Sequence, residues 1–233
     1  KIVYMPYSYQ ANISKRKVSK SVLSRHEIGL PKKSFVFCCF NNNYKITPST
    51  FESWMRILKA VNGSVLWLYE NDKNSVNNLK KEATKLGVSE NQLIFAGHMP
   101  VEEHLNRIKF ADLFIDTLPY NAHTTCSDAL RMGVPVLTLI GKSFASRVAA
   151  SLLNAVNLPE LITNTPEEYE ALAIELATNP KKLKSIKDKL AKNLSTAPLY
   201  NTKLFTKNLE SAFTQMYERH HGGLEPDHIY VEQ

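Results

Sequence analysis

Short apolar runs recur along the chain at Phe35–Phe40, Val65–Tyr69, Leu93–Phe95, Leu113–Ile115 and Val136–Ile140. Runs this short, apolar at nearly every position, suit strands buried on both faces of a parallel sheet. Between them lie Pro48–Val61, Ser75–Leu86, Val101–Phe110 and Thr124–Met132, with Phe144–Ala155 after the last run. These segments space their apolar residues by three and four, the period of a helix with one buried face. Strands alternating with helices at this interval predict right-handed βαβ units and an α/β fold, a doubly wound, Rossmann-like parallel sheet.

Local punctuation agrees with the periodicity. Thr47-Pro48 supplies a cap and an early proline for a helix whose Phe51, Trp54, Ile57, Leu58 and Val61 form a stripe. Leu86-Gly87 closes one helix, and Gly133 with Pro135 closes another. Beyond Pro159 the pattern reads as helical throughout, with helices opening at Thr165-Pro-Glu-Glu and at Pro180 and a long last one over Thr202–His220. Residues 1–33 follow neither period and read as a linker or covering arm. Residues 34–220 read as the domain itself, with extra C-terminal helices, and 221–233 as a loose, polar, turn-rich tail. The chain opens on Lys1 in a segment already under way, which suggests a piece of a longer protein with catalytic groups upstream.

Composition narrows the classes. The 233 residues are 43% hydrophobic, enough for a real core, and contain no apolar run near the ~20 residues that span a bilayer, so no membrane partner is expected. Of three cysteines, Cys38 and Cys39 are adjacent inside an apolar run, which forms neither a disulfide framework nor a metal-ligand spacing. A reducing, cytoplasmic setting follows as the expectation. The net charge of +7 gathers in Lys15–Lys20 and Lys181–Lys192 without interleaved aromatics, so these read as solvated faces and not as a nucleic-acid surface.

In an open parallel sheet, ligands bind outside the carboxyl ends of the strands. The loops there bring Asn42, Lys45, His104, His123, Thr124, Thr125 and Asp128 to one edge. Thr124 or Thr125 is expected to cap the following helix, with Asp128 near its first turn, and the N–H groups of such a helix start attract an anion. Lys45 can neutralise a diphosphate, the threonine hydroxyls can donate to it, and Asp128 can accept from ribose hydroxyls. Each residue also has an ordinary use as a surface charge, a turn former or a cap. Their convergence is what points to a phosphate. No Gly-x-Gly-x-x-Gly or Asp-x-Asp motif and no complete Gly-x-x-x-x-Gly-Lys-Ser/Thr phosphate loop is present, which leaves handling of a nucleotide diphosphate with no cofactor and no metal.

Phe40-Asn-Asn-Asn-Tyr-Lys-Ile46, Ser64-Val-Leu-Trp-Leu68, Glu102-Glu-His104, Asp116-Thr-Leu-Pro-Tyr-Asn-Ala-His-Thr-Thr125, Ala145-Ser-Arg-Val-Ala-Ala-Ser151 and Pro198-Leu-Tyr-Asn-Thr-Lys203 occur in this order. Together they resemble the catalytic region of the O-linked N-acetylglucosamine transferases, in their bacterial form. The resemblance runs from about Ser34 to His220. It implies the C-terminal lobe of a two-lobed GT-B enzyme, with the other lobe and tetratricopeptide repeats upstream, and an inverting, metal-independent transfer from a nucleotide sugar to protein Ser or Thr hydroxyls. On the matching positions, Lys45 would stabilise the leaving diphosphate, His104 and Arg107 would meet uracil, His123, Thr124 and Thr125 the phosphates and sugar, and Asp128 the ribose. Asn42 stands where many members carry glutamine. Two positions depart from animal members: Val101 replaces a lysine at the ribose, and Tyr120 replaces a small residue beside the sugar's N-acyl pocket. Relatives with a similar Pro-Tyr loop use UDP-glucose or GDP-fucose, so these donors stand beside UDP-N-acetylglucosamine. A nucleotide- or partner-binding paralogue that transfers nothing is the non-enzymatic alternative. With one lobe upstream, the 233 residues alone are expected to be inactive.

Overall fold

The computed structural model describes residues 1–232. Six parallel strands, β2 (Val36–Cys39), β3 (Val65–Tyr69), β4 (Leu93–Ala96), β5 (Leu113–Ile115), β6 (Val136–Leu139) and β7 (Ile162–Thr163), form one sheet in the order β4-β3-β2-β5-β6-β7. The chain starts in the middle at β2, winds outward to β4, then returns to the far side of β2 and winds out again. Strand order reverses between β2 and β5, and their carboxyl ends leave an open crevice there. Phe37 pairs with Leu66 on one side and Leu113 on the other, so β2 is buried along its whole length.

Helices α1 (Pro48–Ala60) and α6 (Pro166–Thr178) pack together on one face, whereas α3 (Val101–Ile108), α4 (Thr124–Arg131) and α5 (Val148–Ala155) follow one another on the opposite face. Between β3 and β4 lies α2 (Lys73–Lys85), and α7 (Pro180–Leu194) and α8 (Thr202–His221) complete the chain. The Thr47 hydroxyl accepts from Thr50 N–H and caps α1, and Gly87 and Gly133 take positive φ beyond α2 and α4, where a Cβ would be strained. Trp54 and Trp67 are fully buried. The Trp54 indole donates to Tyr169 Oη at 3.1 Å, and Tyr169 donates to the Asp116 carbonyl at 3.0 Å, which ties both helices to the loop after β5. Truncating Trp54 to alanine would cost about 3–5 kcal/mol in packing.

Three regions depart from the sequence expectation. The segment after Pro159 is not helical throughout: β7 pairs with β6 through Thr138–Ile162 and Leu139–Thr163, a two-residue strand too short to show a period. The tail is not loose, because β8 (Ile229–Tyr230) runs parallel to β1 (Val3–Tyr4), and Ile229 and Val231 are buried with Ala212 of α8. Phe144–Ala155 opens with a 3₁₀ turn over Phe144–Ser146 before α5 begins at Val148. Residues 7–25 lie across the domain: Ser19 N–H donates to the Glu102 carbonyl, Asn106 Nδ2 to that of Ser21, and Arg25 to that of Ser34. The basic clusters are largely paired, as in Lys182–Glu175, Lys187–Asp112, Lys189–Glu160 and Lys17–Glu102. Among the described residues, no helix is long and apolar enough to cross a membrane.

Candidate active site

Two adjoining cavities open at the crevice between β2 and β5, with Phe40, Asn42 and Thr124 in the wall of both. The first, about 300 Å³, is bounded by Arg16, Tyr69, His98, Val101, His104 and Asp128. The second, about 530 Å³, is bounded by Tyr9, Tyr44, Lys45, Tyr120, His123 and Thr125. All nine expected site residues border one or other of them, Arg107 on the first.

In the first cavity, the His104 ring stands edge-on to Phe40 with centroids 5.0 Å apart. Arg107, only 4% exposed, donates from Nε to His104 Nδ1 at 3.0 Å and from Nη1 to the Gly97 carbonyl at 2.8 Å. Burial first, then the charges of Arg107, His98 and Arg16, push the His104 pKa down to about 4, so the imidazole is neutral at physiological pH. With Nδ1 accepting from Arg107, the ring proton sits on Nε2. A planar aromatic wall with one fixed N–H donor suits a flat heterocycle. Arg107 therefore acts largely through His104, which the linear sequence could not show.

Asp128 differs from its expected setting. It lies in the second turn of α4 and is largely buried, with its carboxylate in an ion pair with Arg16 from the arm. Burial raises its pKa, and Arg16 and Arg131 pull the other way. The cap also differs. His123 occupies the N-cap position of α4 without a side-chain bond to the helix, and the Thr125 hydroxyl turns inward to Asn41. The first N–H groups of α4 thus face the crevice uncapped, as an anion site requires.

Around the second cavity, Lys45 Nζ donates to the Asn121 carbonyl at 2.9 Å and stands 3.7 Å from the centroid of the Tyr120 ring. Burial lowers its pKa, and Asp116 opposes that shift. His123 Nδ1 is 2.9 Å from Tyr9 Oη, and burial lowers its pKa too; the Ala145 carbonyl favours the protonated ring but lies outside hydrogen-bond geometry from Nε2. Tyr9, Phe144, Tyr120 and Tyr44 form a partly exposed aromatic rim.

The loop that carries Tyr120 and His123 is anchored by Asp116. Its buried carboxylate accepts from the N–H groups of Thr117 and Ala122 and from the Thr138 hydroxyl, at 2.8, 2.6 and 2.7 Å. Burial pushes its pKa up to about 7 against these donors and Lys45. Sequence reasoning missed Asp116, Asn41, Tyr9 and Arg16. The first two stand within recognised motifs but are buried beneath their exposed members, and the last two lie in the arm, where no periodicity marks them.

Fold and cleft together define a doubly wound α/β domain with its crevice at the switch point, the architecture of nucleotide-binding domains. Residues 8–209 match the family model described as glycosyl transferase family 41. The chain belongs to that family. It is 37% identical over 99% of its length to an Arabidopsis thaliana protein named "Probable UDP-N-acetylglucosamine--peptide N-acetylglucosaminyltransferase SEC", and covers 24% of that protein. It is 36% identical over 91% of its length to the Caenorhabditis elegans UDP-N-acetylglucosamine--peptide N-acetylglucosaminyltransferase, and covers 19% of it. A solved mutant of the Thermobaculum terrenum O-GlcNAc transferase superposes with a TM-score of 0.76 at 33% identity, over 79% of this chain and 36% of that one. The chain thus spans well under half the length of these relatives.

Proposed function

We propose that this chain is the donor-binding half of a protein O-glycosyltransferase that transfers N-acetylglucosamine from UDP-N-acetylglucosamine to Ser or Thr hydroxyls, with inversion and without a metal. The observation that carries the reading is the continuous cleft, with a flat aromatic cavity at one end, Lys45 and a ring-lined cavity at the other, and the open N-terminus of α4 between them. Uracil and ribose fit the first cavity, against His104, Phe40 and Asp128. The diphosphate lies at the shared wall, and the sugar enters the second cavity among Tyr120, His123 and Thr125. The names of these relatives point to the same donor and acceptor classes.

In this arrangement Lys45 offsets the charge that grows on the departing diphosphate, and the fixed N–H dipoles of α4 do the same without reorganising, the kind of term that often dominates catalysis. That is the positive charge which a divalent ion supplies in other transferases. No carboxylate borders the second cavity among the described residues. A single displacement suits such a site, since a covalent glycosyl intermediate needs a carboxylate nucleophile beside the sugar. The acceptor base then belongs to the rest of the protein, and the isolated 233 residues transfer nothing.

Calorimetric titration with UDP and GDP in the presence of a chelator tests this. UDP is expected to bind, GDP to bind more weakly, and Lys45→Ala to lose the UDP signal. UDP binding that needs a divalent ion, or that survives Lys45→Ala unchanged, overturns the metal-independent role of Lys45. One observation favours a different donor: the Tyr120 ring covers Lys45 on the sugar side, where it narrows the space for an N-acyl group. Stronger binding of UDP-glucose than of UDP-N-acetylglucosamine would select that second reading, and a GDP preference would redirect the donor to GDP-fucose.

A further inference from the structure

A chain of buried hydrogen bonds runs beneath the second cavity and fixes the direction of every proton in it. Thr117 Oγ1 donates its one proton to the Tyr120 carbonyl at 2.6 Å. It must therefore accept from its other neighbour, Asn41 Nδ2, at 2.8 Å. The same Nδ2 faces Asp116 Oδ1 at 3.4 Å, a second acceptor. These contacts decide the amide orientation of Asn41, which is 2% exposed: turned over, its oxygen would face two acceptors and its N–H groups would lose both partners. Asn41 Oδ1 therefore points at Thr125 Oγ1, 2.5 Å away. An amide oxygen only accepts, so the Thr125 proton is committed to Asn41.

The consequence concerns what Thr125 can offer a ligand. On the wall of the second cavity its hydroxyl presents lone pairs and no proton. Thr124 beside it is exposed, and its hydroxyl makes no hydrogen bond among the described residues. A phosphate oxygen opposite Thr125 would set acceptor against acceptor, and turning the Thr125 hydroxyl outward would strand the buried Asn41 oxygen.

We propose that Asn41 is a positioning residue that fixes Thr125 as a hydrogen-bond acceptor, so that Thr125 meets a donor group of the sugar, a hydroxyl or an amide N–H. The diphosphate is then held by Thr124, the first N–H groups of α4 and Lys45, without the Thr125 hydroxyl. This rests on the nucleotide-sugar reading above and assigns the sugar side of that site to a residue pair.

The test is calorimetric titration with UDP and with UDP-N-acetylglucosamine at pH 8, where the phosphates carry no proton. In Thr125→Val, UDP affinity is expected to stay within about twofold of wild type while UDP-N-acetylglucosamine weakens about tenfold; Thr125→Ser restores it. Thr124→Val is expected to weaken both ligands alike. Because the valine leaves Asn41 Oδ1 without a donor, the same titrations are made on Asn41→Ala/Thr125→Val, which removes both partners while Asp116 and Thr117 keep their other bonds. Equal weakening of the two ligands in Thr125→Val and in the double variant, or no weakening of either, overturns the inference alone. A wild-type chain that binds neither ligand overturns the nucleotide-sugar reading and the inference with it.

Discussion

The two cavities rest on buried titratable groups that are shifted in opposite directions. Under the first, His104 is held neutral because burial, and then the positive charge of Arg107 beside it, disfavour a further positive charge. Under the second, Asp116 is held toward its protonated form because the carboxylate is buried completely, even with donors around it. The His104 end of the first cavity is thus a neutral, shape-selective surface, and the second cavity carries the unpaired charge, where Lys45, the α4 N-terminus and the Asp116 loop have to be held in register. This asymmetry suits the proposed binding of one uncharged heterocycle and one diphosphate.

The largest effect expected is on the charged side. In the intact protein Lys45→Ala should lower the transfer rate about a thousandfold, the size typical of losing a group that stabilises developing charge. Its melting temperature should barely move, because Nζ makes a single hydrogen bond, to the Asn121 carbonyl. A variant that keeps near-normal turnover would remove the asymmetry from the mechanism.

Next in size is the dependence of stability on pH. Asp116 has a folded pKa of about 7, above the unfolded carboxylate value, so the native chain binds more protons than the unfolded one between about pH 4 and 7. Its contribution is fully present below that window and is lost as pH rises through it. His104, depressed to about 4, acts in the opposite sense: its contribution is present above the unfolded histidine pKa and is lost as pH falls toward 4. The two slopes, each up to about 1.4 kcal/mol per pH unit, largely cancel in the wild type. Asp116→Asn should expose the His104 slope, with denaturant midpoints that rise from pH 4.5 to 6.5 by the equivalent of about 2 kcal/mol relative to wild type. Parallel wild-type and variant curves would show that Asp116 does not titrate there.

The legible parts of the molecule were those in which one residue's chemistry or one period suffices. The strands of the six-stranded sheet other than β7, and the helices, follow from apolar spacing, because burial on one or two faces imposes it. Lys45 and His123, in the connections after β2 and β5, and Thr124, at the start of α4, are brought to the switch point by topology alone. Asn41 and Asp116 were not legible as site residues, because their role lies in the direction of hydrogen bonds among three segments far apart in sequence. The arm was open to either reading, linker or cover, since Tyr9 and Arg16 contact the site singly and leave no pattern. The pairing of β1 with β8 joins the two ends of the chain through two residues each, and no local signal specifies it.

A smaller effect tests the neutral side. Arg107→Met keeps the bulk of the side chain and removes the donor that fixes the His104 ring, together with one of the charges that depress its pKa. UDP affinity at pH 7.5 should fall about tenfold, the worth of roughly one well-formed hydrogen bond to a charged group. The loss should grow as pH falls, because a His104 freed from Arg107 takes up a proton at higher pH. If affinity drops equally at pH 6 and 8, Arg107 is only filling space.

The smallest effect concerns the arm, where the two halves of the cleft meet. Arg16 reaches from the arm to Asp128; in the proposed complex that carboxylate is ionised to accept from two ribose hydroxyls, and burial alone works against that. The pair is partly exposed, with the Arg16 side chain 28% accessible, so solvent and salt screen it and its worth is at most about 1 kcal/mol. Arg16→Ala should therefore weaken UDP about twofold to fivefold at 20 mM salt, and the deficit should shrink at 500 mM as the wild-type pair is itself screened. If instead Arg16→Ala tightens UDP binding, the arm's arginine competes with the ribose for Asp128. The arm would then be a cover that the nucleotide has to lift, and the neutral side of the cleft would be the side that gates entry.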